Sequence, residues 1–193
     1  KTIKIDKKDD IKKEIEGILQ QANLYAFNLT KTNKSKYRRM LLIRKDHIEN
    51  LEKIISDSRS WVVSIKSAGN ILRGENYVYA FPEARLNKSI TRKGEIIARE
   101  NISLENSNSE SIRKKIKILL SSTLAEVKKR GSLSSELKID ANQINNLGKN
   151  LISRNKGDIQ IISKALENSQ SADKVPISLE LQFLKKFSKT NKK

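Results

Sequence analysis

Apolar residues recur at helical spacing from Ile11 onward, at Ile11, Ile15, Ile18, Leu19, Ala22 and Ala26, which puts one face of a helix against a core. Asp9 and Asp10 stand just ahead of them, where carboxylates favour the positive end of a helix dipole, so the pattern predicts a helix running to about Leu29. Before it, residues 1 to 5 alternate as a short strand. After it, Arg39 to Arg44 enclose an apolar run of strand length, and Asp46 reads as the N-cap of a second helix carrying Ile48, Leu51, Ile54 and Ile55.

Trp61 to Ile65 and Asn76 to Phe81 are rich in β-branched and aromatic residues and read as strands, and Lys93 to Ile102 makes a third. Short polar connections between them predict an antiparallel meander. The polar cluster Asn106 to Glu110 then caps a helix on Ile112, Ile116, Leu119, Leu120, Leu124 and Val127, and Lys128-Lys129-Arg130-Gly131 ends it with cations and a glycine. Beyond Ser132, Glu136 to Ile139 reads as a strand and Ile144, Leu147 and Leu151 as a helix face. Lys156-Gly157-Asp158 breaks the chain before a short helix on Ile159, Ile162 and Leu166, and Ser169 to Lys174 form a loop. Val175 to Phe183 alternate as a strand, with Pro176 at its start. No tandem repeat is visible. The expected fold is α+β, a mixed α/β domain spanning 1–184 whose central sheet contains the three-strand meander packed with about four helices, followed by a basic, disordered tail at 185–193.

A length of 193 residues suffices for a real core. With no cysteine there is neither a disulfide framework nor a thiolate metal site. No apolar stretch approaches the ~18 to 20 residues that cross a bilayer. The chain opens on Lys1, not methionine, and reads as a piece of a longer or processed protein. Its net charge of +18 and pI near 10.0 suit an acidic partner such as nucleic acid or an anionic membrane surface. The excess is carried mostly by lysine, in a composition rich in Ile, Asn, Lys and Ser that an AT-rich genome produces without any binding role. Aromatics are only 5%, few for a nucleic-acid reader.

Catalytic chemistry has little to stand on. The one histidine, His47, lies at a predicted helix start beside Asp46, and no Gly-x-Ser-x-Gly elbow exists, so a nucleophilic triad has no support. A lone histidine without cysteine does not make a zinc site. The strand interiors are poor in acids, and Glu95, Glu100 and Glu180 fall on solvent-facing strand positions, so no carboxylate-metal site is expected. The connection Ser67 to Asn76 holds Gly69, Asn70, Arg73 and Gly74 between two strands. That placement favours a turn over a phosphate cradle, which needs a strand before and a helix after it. Gly69-Asn70 has the chemistry of a tight bend. The candidate anion or ligand site gathers Asn70, Arg73, Arg85, Arg92 and Lys93 on one side of the meander. No catalytic residue, metal or cofactor is expected.

Five stretches, "ILQQANLYAF" (Ile18 to Phe27), "WVVSIKSAGNILRGE" (Trp61 to Glu75), "RKGEIIA" (Arg92 to Ala98), "KKIKILLSSTLAEVKKRG" (Lys114 to Gly131) and "VPISLELQF" (Val175 to Phe183), resemble in order and spacing the C-terminal domain of the cyanobacterial family called domain of unknown function 3084. The resemblance implies a globular α/β region at the end of a membrane-anchored coiled coil, and carries no catalytic residues with it. It implies a non-enzymatic interaction or sensor-like domain, itself soluble, whose membrane anchor lies in N-terminal segments absent from this chain. The partner is then a protein, or a further copy joined through the upstream coiled coil. The alternative is a nucleic-acid-binding module using the Lys/Arg surface.

Overall fold

The computed structural model describes residues 2–6, 10–32, 36–57, 59–105, 108–154 and 157–183; the tail at 185–193 lies outside them. The class is α+β, with four helices and ten strands among the described residues. The chain forms two compact units, Lys1–Asn87 and Lys88–Lys193, each around its own apolar core.

The first unit runs β1 (Thr2–Ile5), α1 (Ile11–Thr30), β2 (Leu41–Leu42), α2 (Lys45–Ile55), β3 (Trp61–Ser67) and β4 (Val78–Leu86), with its sheet in the order β1-β3-β4-β2. The Asp10 carboxylate caps α1 by accepting from the Lys12 and Lys13 amides. Ile15, Ile18, Ala22 and Ala26 of α1 are buried with Leu51 and Ile55 of α2 and Trp61, Val63 and Ile65 of β3. The start of α2 departs from expectation: Arg44 is its N-cap, with no side-chain cap bond. Asp46 sits one position into the helix and pairs with Arg44 at 2.7 Å, and Ile54 is exposed. At the α2–β3 turn, Arg59 Nε and Trp61 Nε1 donate to Asp57 at 2.7 and 2.8 Å. These bonds hold the Asp57 carboxyl down to about 2.

The second unit runs β5 (Ser89–Thr91), β6 (Ile96–Ser103), α3 (Ser109–Lys129), β7 (Leu137–Lys138), α4 (Ala141–Ile152), β8 (Asp158–Ala165), β9 (Ser169–Gln170) and β10 (Val175–Phe183). Its main sheet is ordered β6-β8-β10-β7, and β5 and β9 form a separate pair. The Asn108 side chain caps α3, and Gly131 beyond its end takes φ +106°, a conformation glycine adopts without strain. Arg130, in the same turn, donates to Glu126 at 2.9 Å and to Glu95 at 2.6 Å. Glu95 is a structural acid: first the Arg92 backbone N–H and then Arg130 hold its carboxyl below the usual range.

Ser169–Gln170, expected at the start of a loop, form the strand β9 paired with β5. Residues 158–165 are a strand, not a short helix. The third strand of the supposed meander, β6, pairs with β8 and not with β4. Each main sheet still contains three adjacent antiparallel strands, β1-β3-β4 in one unit and β6-β8-β10 in the other.

The comparison of units reveals a repeat. Setting aside the β5–β9 pair, both read β-α-β-α-β-β. In both, the first strand pairs antiparallel with the third, the third antiparallel with the fourth, and a two-residue second strand pairs parallel with the start of the fourth. Core positions correspond: Ile15, Ile18, Ala22 and Ala26 of α1 have the spacing of Ile116, Leu119, Thr123 and Val127 of α3. Leu41, Ile43, Ile48, Asn50, Leu51, Lys53 and Ile55 likewise match Leu137, Ile139, Ile144, Asn146, Leu147, Lys149 and Leu151. The two units thus share topology and hydrophobic spacing while most residue identities differ.

Candidate functional site

The connection between β3 and β4 serves the end of α1. Gly74 N–H donates to the Thr30 carbonyl at 2.7 Å and Arg73 Nε to the Lys31 carbonyl at 3.4 Å, so carbonyls that a helix end leaves unpaired find donors. The left-handed residue is Gly74, at φ +89°, whereas Gly69 has an ordinary backbone. Asn76 accepts from Arg38 Nη2 at 2.6 Å, fixing the far side of the connection. The cation of Arg73 thus lies at a helix C-terminus, its favoured electrostatic place.

The five candidate residues divide between the units. Asn70, Arg73 and Arg85 belong to the first, Arg92 and Lys93 to the second. Asn70 is exposed on the connection. Arg85 lies near the opposite end of β4, where it forks onto Glu83 at 3.0 and 2.6 Å, and Glu83 also pairs with Lys66. Val78 and Arg85 are seven strand positions apart, about 23 Å at the rise of an extended chain, so Arg73 and Arg85 do not converge. In the second unit Arg92 and Lys93 occupy the turn before β6, their backbone amides bound to Glu95 and Asn168 and their side chains exposed.

The three strand-region acids of the second unit that could have formed a metal site are each paired with a cation: Glu100 with Lys115 at 2.5 Å, Glu180 with Lys164 at 3.5 Å, and Glu95 with Arg130, which also holds Glu126. Among the described residues no group of three or more His, Asp or Glu is placed to hold a metal ion. No helix among them is long and apolar enough to cross a membrane. His47 is half-buried in the first turn of α2.

Three features lay outside the sequence reading. A cavity of about 470 Å³ in the first unit lies between α1, the segment entering β2, and α2, over Leu19, Leu41, Ile43 and Ile48 and beneath Tyr37 and Arg39. The positions of the second unit that match Leu19, Asn23, Leu41, Ile43 and Ile48 of its lining are Leu120, Leu124, Leu137, Ile139 and Ile144, all apolar and packed on that unit's core. Next, Tyr79 and Phe81 project from one face of β4, 69% and 40% exposed, since alternate positions of a strand share a face, and Tyr77, just ahead of the strand, is 55% exposed. Their i, i+2 spacing is visible in the sequence, but it signals strand before it signals surface. Finally, a groove of about 510 Å³ runs between α4 and the far part of β10.

Against known proteins, the chain is 32% identical over 92 residues to the uncharacterized protein alr4393 of the cyanobacterium Nostoc sp., covering 48% of this chain and 18% of that protein. The chain therefore matches only a small part of a longer relative. No protein-family model matches, and no solved structure matches.

Proposed function

We propose that this chain is a non-enzymatic interaction domain at the end of a membrane-anchored coiled-coil protein of the domain of unknown function 3084 type. The main support is the relative from Nostoc, in which the matching region makes up less than a fifth of the length. A domain that is a minor part of a longer chain fits a module presented by an anchor and stalk. Exposed apolar side chains on the first unit, among them Leu72, Tyr77, Tyr79 and Phe81, add a surface of the kind that partners cover. The gene's full reading frame is the test. An upstream apolar segment of spanning length followed by heptads is expected, and a frame with neither overturns the reading.

A second reading is favoured by the aromatic row on β4. Successive rings are about 6.6 Å apart along the strand, each offering a face on which an unpaired base can stack, and the chain's charge of +18 attracts phosphates. In this reading oligo-dT binds at low salt, weakens as salt rises, and loses about 1–3 kcal/mol on Tyr79→Ala. A fluorescence-anisotropy titration that detects no binding at low salt removes it.

A further inference from the structure

The fourth strand of each unit loses its short parallel neighbour after two residues, and the two edges that no other described strand pairs with are built differently. In an antiparallel pair, residues alternate between directing both backbone groups at the partner strand and directing both away. In β10, Leu179 N–H points away from β8, because it reaches Gln143 Oε1 of α4 at 3.4 Å. By the same alternation Leu181 presents N–H and C=O to that edge, where neither has a partner among the described residues. β7 covers only Val175 and Pro176. Counting from the equivalent contacts Leu41↔Val78 and Leu137↔Val175, the counterpart of Leu179 in the first unit is Pro82. Proline has no N–H to offer, so the first edge is blunted at the position where the second keeps its donor.

The wall facing the open edge differs in the same sense. Asn142, Asn146 and Asn150 follow one another at i, i+4, i+8 along α4, and with Gln143 and Leu147 they line the groove beside Leu179 and Leu181. Their counterparts on α2 are Asp46, Asn50 and Ile54. One unit therefore sets a row of neutral amides against a strand edge with free hydrogen-bonding groups. Asp140 is the charged residue of the lining.

We propose that the β10 edge accepts one extended segment of a protein partner, which adds to the sheet as a strand and turns uncharged polar side chains toward the amides of α4. The proposal rests on the interaction-domain reading and gives that reading a contact surface. The groove is lined by α4 on one side and by Leu179 and Leu181 on the other, on the edge of β10 that β7 covers at its start. A second copy would bring its own α4 to the same edge and set one chain of charge +18 against another. Main-chain bonds to Leu181 supply affinity, and alternate side chains facing Asn142, Asn146 and Asn150 supply selectivity.

The probe is a synthetic heptapeptide alternating threonine and glutamine, neutral so that the chain's charge adds no attraction, titrated into the full ¹⁵N-labelled chain. At saturation, exchange of the Leu181 amide is expected to slow about tenfold or more as its N–H gains a strand partner, while a fully N-methylated version of the peptide changes nothing. Leu179→Pro, which copies the first unit, abolishes the effect. Should that variant fail to fold, Asn146→Lys at an exposed helix position fills the groove without touching β10 and is expected to weaken binding about tenfold. No change at Leu181, or protection appearing at β1 or β6 instead, overturns the proposal. So does protection of Leu181 without peptide, whether it rises with protein concentration, placing a second copy there, or vanishes on removing residues 184–193, placing the chain's own tail there. None of these outcomes bears on the anchored-module reading, which the upstream reading frame decides.

Discussion

Leu119→Ala is expected to destabilise the second unit by about 3–4 kcal/mol, a large share of the about 5–15 kcal/mol that holds a typical domain folded. Leu119 has no exposed surface and lies at the centre of the inward face of α3. The core cluster it belongs to draws on several elements, with Ile161 of β8, Ile177 of β10 and Leu151 of α4 among its members. Truncation removes three carbons' worth of burial and leaves a cavity, and surroundings drawn from strands and helices collapse into it only in part. A urea titration followed through amide exchange at Ile161 measures the loss. A change below about 1 kcal/mol would mean that the site repacks freely and that the core is much looser than its burial indicates. The corresponding residue of α1 is Ile18, equally buried, so the same substitution there tests whether the two cores share the same sensitivity.

Hydrophobic spacing made the long elements legible. The helix from Ile11, the cap before Ser109, the glycine after Lys129 and the strand from Val175 all stand where pattern and end signals put them. The misplaced stretch, 158–165, shows the limit of spacing alone. Ile159, Ile162 and Leu166 satisfy a helical count, yet Ile161 lies between them on the buried face, and the β-branched run belongs to a strand inside a sheet. Pairing was illegible for a different reason. The sequence shows that β6 is a strand but not that it joins β8, because the partner lies some sixty residues on, beyond two helices.

The repeat was hidden by the same physics that preserves it. A core position asks for burial and approximate volume, so Trp61 can stand in one unit where Ile159 stands in the other, and the sheet survives with few identities. Only the segment from β2 through α2 and its counterpart from β7 through α4 keep a recognisable string. The candidate site fared likewise. That Ser67 to Asn76 is a connection followed from its neighbours; that Arg73 and Gly74 close the end of α1 is a tertiary contact no local pattern contains. A free strand edge is a property of pairing, and so it became visible only once the order β6-β8-β10-β7 was known.

Where the halves differ in chemistry, the difference can be exchanged and measured, and Asn23 is the strongest case. Its side chain accepts from the amides of Met40 and Leu41 at 2.7 and 3.0 Å and donates to the Tyr37 hydroxyl at 3.1 Å and the Arg38 carbonyl at 3.4 Å. One amide thus satisfies the backbone where the chain enters β2. The second unit has Leu124 at the matching position, where it packs on the core. Asn23→Leu supplies the apolar contact of the second unit and removes every one of those bonds. The Met40 and Leu41 amides then lose their acceptor beside a buried methionine and a buried leucine. Unsatisfied donors of this kind cost about 1–3 kcal/mol each, and partial access to water lowers the expected total to about 2–3 kcal/mol. Trp61, the only tryptophan, sits in the same core, so its fluorescence in a urea titration follows the loss directly. Asn23→Asp keeps the acceptor for both amides while losing the donors to Tyr37 and Arg38, and is expected to recover about half of the loss. If Asn23→Leu proves neutral, the entry into β2 is held by its packing alone, and the polar wall of the 470 Å³ cavity is free to serve a ligand.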